Sequence, residues 1–302
     1  MTKLVIIDGN AIMHRAFHAL PPLTTPTNEP IGAVQGFLNI LLRIIEELEP
    51  THLAVCFDRK EPTFRKSMSK DYQAHRPEMD DQLSPQFPLI QKALHAMAIP
   101  IYDKAGYEAD DLIGTISAIV HKQLAISEII IVTGDRDILQ LVNDKVVVYL
   151  PANGLSTGQV MDTKAVKEKM GVNPSQIVDY KALVGDPSDN YKGVPGIGPK
   201  TAVNLLSQYQ SLENIYQNLD SIKPTVAQKL KSGKDSALLS QNLAQIMLTV
   251  PFKFNLADAA KFQINSPAAL QILSTDFGFR TIPKRIQTLT KKLAARSQTS
   301  LF

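Results

Sequence analysis

The chain has 302 residues, a hydrophobic content of 44% and a formal net charge of only +3, enough for one large domain or two modest ones with a substantial core. A balance this close to neutral excludes a protein that meets polyanions with its whole surface, so any basic footprint is local. The single cysteine, Cys56, excludes an internal disulfide and a cysteine-built zinc site, and no apolar run reaches membrane-spanning length.

The first strand signal, Leu4–Ile7, begins too early to leave room for a signal peptide, which sets the expectation of a cytoplasmic protein. That run ends at Asp8-Gly9-Asn10. A helix is predicted over Gln35–Glu49, where Phe37, Leu38, Leu41, Leu42, Ile45 and Leu48 recur at helical spacing. His52–Phe57 reads as a second strand ending at Asp58, with Cys56 as a buried thiol. Phe87–Met97 reads as a helix and Pro100–Tyr102 as a brief strand. Ala109–Leu124 reads as a helix with Leu112, Ile113, Ile116, Ile119 and Val120 on its apolar face. Glu128–Val132 is a further strand, closed by Thr133-Gly134-Asp135-Arg136-Asp137, and Lys145–Leu150 another. Strands alternating with helices predict an α/β fold with a mostly parallel sheet covered on both faces.

Several strands therefore end in aspartate: Asp8, Asp58, and the pair Asp135 and Asp137. In open α/β sheets, ligands bind beyond the carboxyl ends of the strands. Glu108, Asp110 and Asp111 open the Ala109 helix, where acids favour the helix dipole. Dipole complementation accounts for one or two of these acids but not for a whole rim of carboxylates, which repel one another unless cations neutralise them. The set predicts a hard divalent cation held by oxygen ligands.

Residues 59–88 lack apolar periodicity. They carry Arg59, Lys60, Arg65, Lys66, Lys70, His75 and Arg76 with Phe64 and Tyr72 interleaved, a composition suited to a single-stranded nucleic acid. After Leu150 the β pattern stops. Helices are predicted over Met161–Met170, Pro174–Val184 (with Asn173 as N-cap), from Pro199, and over Leu212–Asn218, Thr225–Ser232, Lys234–Thr249 and Ser266–Phe277. Between them lies Ala182–Ala202, ALVGDPSDNYKGVPGIGPKTA. Asp186 and Asp189 sit three apart in a turn that could hold a cation. Gly193 to Lys200 forms a glycine hairpin opening a helix, a place for backbone N–H groups to meet phosphate.

Taken together, the motifs IDGNAIMHRAFHAL, CFD, YEADDLIGT, VTGDRDILQLV and GDPSDNYKGVPGIGPKTA, in that order, resemble the 5′-nuclease superfamily of flap endonucleases and 5′→3′ exonucleases. The chain is most similar to the bacterial type found as the N-terminal domain of DNA polymerase I and as stand-alone exonucleases. The resemblance implies a PIN-like nuclease domain over 1–160 with a helical arch at about 59–88, a helical DNA-binding domain over 161–290 with a helix–hairpin–helix element, and a flexible tail over 291–302. It implies two Mg²⁺ or Mn²⁺ ions. Asp8, Asp58, Glu108, Asp110, Asp111 and Asp135 match the acids of the first. Asp137, Asp186 and Asp189, with Asp135 shared, match those of the second. Asp8, Asp58, Asp111, Asp135 and Arg76 match catalytic positions. Arg15, Arg65, Lys66, Tyr72 and Arg76, with Gly193, Gly196, Ile197, Gly198, Lys200 and Thr201 of the hairpin, match DNA contacts, and a K⁺ ion is implied at the hairpin.

One departure stands out. Where the resembled arch reads Tyr-Lys-x-x-Arg, this chain has Tyr72-Gln73-Ala74-His75-Arg76, so Gln73 replaces the lysine. The last residues, with Gln298, Leu301 and Phe302, resemble the bacterial sliding-clamp-binding peptide, which implies the clamp as a partner and a stand-alone replication or repair nuclease. The expected activity is metal-dependent phosphodiester hydrolysis by a monomer, on DNA with 5′ flaps, nicks or RNA primers. Two other readings are a non-catalytic module that binds flaps or junctions, and a PIN-type ribonuclease, which leaves the hairpin and the arch without a purpose.

Overall fold

Five parallel strands and one antiparallel edge strand make the frame, in the order β3-β2-β1-β4-β5-β6. The computed structural model describes residues 2–151 and 158–299, with side chains as far as 296. The strands are β1 (Lys3–Asp8), β2 (His52–Cys56), β3 (Ile101–Tyr102), β4 (Glu128–Val132), β5 (Val146–Leu150) and β6 (Gln159–Met161). The chain leaves β1 toward β2 and β3 on one side, then returns to build β4, β5 and β6 on the other. The order thus reverses between β1 and β4, the switch point where a crevice opens at the strands' carboxyl ends.

Side chains alternate across the sheet as the pleat requires. Leu4, Ile6, Ile129 and Ile131 enter one apolar cluster, packed under helix Ala109–His121 through Leu112, Ile113 and Ile116. Val5, Ile7, Ile130 and Val132 enter the other, against helices Gly9–Ala19, Gly32–Leu48 and Gln86–Ala96. Phe37, Leu38, Leu41 and Leu42 are all fully buried there, each contributing about 1.5–3 kcal/mol. Cys56 is buried in β2.

The first helix, Gly9–Ala19, is not among the predicted elements. Gly9 and Asn10 are poor helix formers, and His14, Arg15 and His18 interrupt any apolar stripe. It forms because Asp8 caps it, accepting from the Ala11 N–H at 3.0 Å, and because Gly36 lets the next helix pass close to Ala16. β6 was also missed: Met161 begins no helix but ends an antiparallel strand, and the helix starts at Thr163 with Asp162 as its cap. Lys234–Thr249 is likewise shorter than predicted. The helix stops at Ala244, and Gln245 to Met247 run extended toward Asp111.

The helical region continues the first core without a break: Ile177, Leu183, Ala202, Leu206, Ile215 and Leu230 join Leu4 and Ile131 in one cluster. The span 161–290 does not stay together, however. Leu273, Phe277, Ile282 and Ile286 cross to the second cluster, beside helix Gly32–Leu48. Of the segment expected to be a flexible tail, 291–302, residues 291–299 are helical, as part of Thr281–Thr299, with Lys292 paired to Glu46 at 2.7 Å and Arg296 to Glu49. Leu301, Phe302 and the side chain of Gln298 lie outside the described residues. Among the described residues, no helix is long and apolar enough to cross a membrane.

Candidate metal centre and nucleic-acid cleft

A cleft of about 1150 Å³ opens at the switch point. Nine acids line it. Glu61 and Asp103 are paired with Arg59, and the other seven are Asp8, Asp58, Glu108, Asp110, Asp135, Asp137 and Asp189. These seven arrive from five separate places in the chain, namely the end of β1, the turn after β2, the start of helix Ala109–His121, the turn after β4, and the loop after helix Ile177–Val184.

Backbone and hydroxyl donors hold these acids in place. Asp8 accepts from Thr133 Oγ1 at 2.7 Å as well as from Ala11. Asp58 reaches across to the helix that starts at Ala109 and accepts that residue's N–H at 2.7 Å. Thr63 and Tyr72 donate to the two oxygens of Glu108 at 3.1 and 3.2 Å. Asp135 accepts the Asp137 N–H at 2.8 Å, which folds the turn after β4 back on itself.

Crowding shows in the proton affinities. Burial, then repulsion from Asp58 and Asp135, raises Asp8 to about 7 against two opposing hydrogen bonds. Burial raises Glu108 to about 7, despite Arg65. Burial, then repulsion from Asp135 and Asp8, pushes Asp110 well above the usual carboxylate range. Asp58 is exposed at the cleft mouth, yet the protein atoms and acids packed around it displace enough water to raise it too.

The tightest group is Asp137, Asp186 and Asp189, whose ligand oxygens lie within 4.8 Å of one another. At its centre is a residue that the sequence reading missed. Lys181, only 7% exposed, places Nζ against Asp137 and at 2.5 Å from Asp186. Burial opposes the ammonium's charge, but the two carboxylates outweigh it and hold the pKa above the ordinary value. Burial raises Asp137 to about 7 even so. Asp186 is held below the usual range, because bonds from Lys181 and Ser188 together outweigh its burial. The available signal was a lone lysine in the apolar run Ile177–Val184, whose inward face it shares.

Several expected site residues sit elsewhere. Asp111 does not face the cleft. It is fully buried, with both oxygens taken by the Arg65 guanidinium at 2.8 Å and further bonds from the N–H groups of Glu108 and Met247. No lone pair is left in position for a cation. Arg65 is equally committed: it also donates to the carbonyls of Leu243 and Gln245, so it is a buried tie and not a phosphate contact. Tyr72 is 3% exposed and stacks on Tyr191 at 6.4 Å, which closes its ring to a nucleic-acid base. Lys66 stays exposed while donating to the Tyr72 carbonyl, and Arg76 lies half-exposed in the cleft, paired with Asp189 at 2.9 Å. Arg15, half-buried on the first helix, is not among the described residues that line the cleft. Of the 59–88 insertion, residues 59–85 hold one short helix, Phe64–Met68, among turns and irregular stretches, and residues 86–88 already belong to helix Gln86–Ala96.

In the glycine hairpin, Gly193 serves the fold. A Cβ there would lie 2.4 Å from the backbone of Gly185 and Leu183, and the Val194 N–H donates to the Leu183 carbonyl. The hairpin is thereby locked to the end of the helix that precedes Asp186. Ile197 is buried in the core. Gly196, Gly198 and Lys200 are exposed, Thr201 half-buried, and Pro199 starts helix Pro199–Tyr209. Gly196 has φ +80 and its carbonyl accepts from Lys229 Nζ at 3.0 Å.

The raised acids dictate a pH response. For Asp8, Glu108 and Asp137 the folded pKa of about 7 exceeds ordinary values of 3.8, 4.5 and 3.8, so the folded chain binds protons more tightly than the unfolded one. These groups contribute stability below their ordinary values, and it is lost as pH rises through about 7. In EDTA, the melting temperature is expected to be lower at about pH 8 than at about pH 5.5. Equal or higher melting at the upper pH would show that the acids are not crowded in solution.

A family model described as 5′-3′ exonuclease, N-terminal resolvase-like domain, matches residues 3–171, and one described as 5′-3′ exonuclease, C-terminal SAM fold, matches residues 172–268. DNA polymerase I of Caldicellulosiruptor bescii is 45% identical over 286 residues, which is 94% of this chain and 33% of that protein. The chain thus spans about a third of the length of such relatives. A 5′-3′ exonuclease of Bacillus subtilis is 36% identical over 298 residues, covering 97% of this chain and 98% of its own length. The flap endonuclease of bacteriophage T5, solved as a pseudo-enzyme-product complex with DNA and metal ions, is similar in fold, with a TM-score of 0.65 at 19% identity over 96% of this chain and 98% of that one.

Proposed function

Because the chain belongs to the 5′-3′ exonuclease family, we propose that it hydrolyses phosphodiester bonds at the 5′ ends and 5′ flaps of DNA, and removes RNA primers, in replication and repair. The observation that carries this reading is the convergence of seven acids from five chain segments on one cleft. A protein that only bound flaps or junctions would gain nothing by concentrating negative charge where DNA lies.

The donor set is all oxygen, which fits a hard divalent cation such as Mg²⁺ or Mn²⁺. The ammonium of Lys181 among Asp137 and Asp186 marks a place where positive charge is welcome. Asp137, Asp186 and Asp189 would hold one ion, and Asp8, Asp58, Glu108, Asp110 and Asp135 would surround another. When bound, two such ions supply a nucleophile at neutral pH and relieve charge on the leaving oxygen. Arg76 is placed to trade Asp189 for a substrate phosphate, with which a guanidinium pairs through two parallel bonds. Thr133 and the Ala11 N–H fix Asp8, and the Ala109 N–H fixes Asp58, so neither carboxylate reorients when charge arrives.

The exposed edge of the hairpin, Gly196, Gly198 and Lys200, would grip the duplex backbone. Its carbonyl at Gly196 already meets an ammonium, so a K⁺ ion there suits the donor chemistry. The sliding clamp, reached through Gln298, Leu301 and Phe302, and a monomeric, cytoplasmic protein complete the proposal.

The test is release of product from a 5′-labelled flap duplex by the full chain. Cleavage in Mg²⁺ that stops in EDTA is expected. Tight binding with no cleavage in either condition would favour the binding module, and cleavage that persists in EDTA would overturn the cation requirement.

A further inference from the structure

We propose that Gln73 is a positioning residue that holds Asp189 in the Asp137–Asp186–Asp189 group, making the base of the 59–88 insertion part of that site. The inference rests on the reading of that group as a cation site.

Gln73 grips Asp189 twice. Its main-chain N–H donates to the Asp189 carbonyl at 2.8 Å, and its side-chain Nε2 donates to Oδ1 at 3.1 Å. Arg76 donates to the same Oδ1 at 2.9 Å, while Oδ2 receives only a long contact from the Tyr72 hydroxyl at 3.4 Å. One oxygen of the carboxylate is thus fully spent on orientation and the other is left for a cation. The loop returns the grip: Asn190 Nδ2 donates to the Asp71 carbonyl at 2.7 Å. Both ends of this clasp adopt left-handed backbone, with φ 54 at Gln73 and φ 56 at Asn190. Non-glycine residues keep that conformation only where their surroundings over-determine it.

Chemistry separates Gln73 from its neighbour. Arg76 is about half exposed and carries a charge that a phosphate can draw away. Gln73 is half-buried and neutral, so it orients Asp189 without adding positive charge that a divalent ion would have to displace. The polar partners behind metal ligands set ligand orientation, and their loss weakens metal binding by roughly 10–100-fold. A lysine at position 73 would bring a second cation to a carboxylate that already faces Arg76.

The experiment counts bound Mn²⁺ by electron paramagnetic resonance on the full chain. The Mn²⁺ equivalent that disappears in Asp186→Ala identifies the site. In Gln73→Met, which keeps the side chain's length and loses its amide, the Nε2 donor included, that equivalent is expected to bind about tenfold more weakly. Asn190→Ala removes the return bond but leaves the Gln73 and Arg76 bonds to Oδ1 of Asp189 in place, and is expected to bind Mn²⁺ as wild type does. If Gln73→Met loses its helical circular dichroism, Gln73→Ala replaces it in the same comparison. Unchanged Mn²⁺ affinity in the Gln73 variant, or an equal loss in Asn190→Ala, would overturn the positioning role. A wild-type protein that loses no Mn²⁺ equivalent on Asp186→Ala would remove the cation site itself and the inference with it, an outcome visible before any Gln73 variant is read.

Discussion

Asp186→Ala is expected to slow cleavage of a 5′-flap substrate in saturating Mg²⁺ by at least roughly a hundredfold, since an ion that relieves transition-state charge is worth several kcal/mol and each ~1.4 kcal/mol is tenfold in rate. The residue is one of three carboxylates whose oxygens lie within 4.8 Å, and the other two cannot compensate. Asp137 is tied to Lys181, and Asp189 is held by Gln73 and Arg76. Stability is expected to change little in EDTA. The substitution removes one acid from a crowded group, and Lys181 keeps its partner at Asp137. Activity and melting temperature should therefore separate: a large loss in the first, little in the second. Cleavage within a few-fold of wild type would show that Asp186 is no part of the reacting centre.

The rim of acids was legible because two rules act on short stretches of sequence. A β-branched run gives a strand, and an acid at its end must lie at the sheet's carboxyl rim. Asp8, Asp135 and Asp137 needed nothing more. Asp186 and Asp189 were legible as a turn, and the reversal of strand order between β1 and β4 then places the crevice where they meet the rest. Residues that answer to distant partners were misread. Arg65 looked like a free basic side chain beside Tyr72, but its partners are Asp111, 46 positions on, and carbonyls 178 and 180 positions on. No local pattern reports such a pairing. Asp111 likewise shares an acidic helix start with Glu108 and Asp110, yet one step around the helix turns it from the cleft into the core. The same cause ends the helix at Ala244 early: the chain from Gln245 to Met247 must run extended to serve Arg65 and Asp111.

Arg65→Ala is expected to lower the melting temperature on the order of 10 °C, because removing one partner of a buried ion pair costs about 3–5 kcal/mol and a chain of this size loses a few degrees per kcal/mol. Its guanidinium makes two bonds to a fully buried Asp111, approaches Glu108 at 3.2 Å, and donates to the carbonyls of Leu243 and Gln245. Alanine leaves the Asp111 charge facing protein with only the N–H groups of Glu108 and Met247 for support. Three parts of the fold come apart together: the base of the 59–88 insertion, the start of helix Ala109–His121, and the extended run after Ala244. Asp111→Ala should lose a similar amount, and the double variant Arg65→Met with Asp111→Leu less than the sum of the two, since an apolar pair of similar volume leaves no unpaired charge. Assayed well below its own melting temperature, Asp111→Ala is expected to keep cleavage within about tenfold of wild type, less than the roughly hundredfold that a misplacement of about 1 Å can cost. Asp186→Ala and Asp111→Ala are then opposites, one stable and inactive, the other unstable and active. If Asp111→Ala instead melts like wild type and fails to cleave, the residue belongs to the reacting centre, and its burial against Arg65 must open when cations bind.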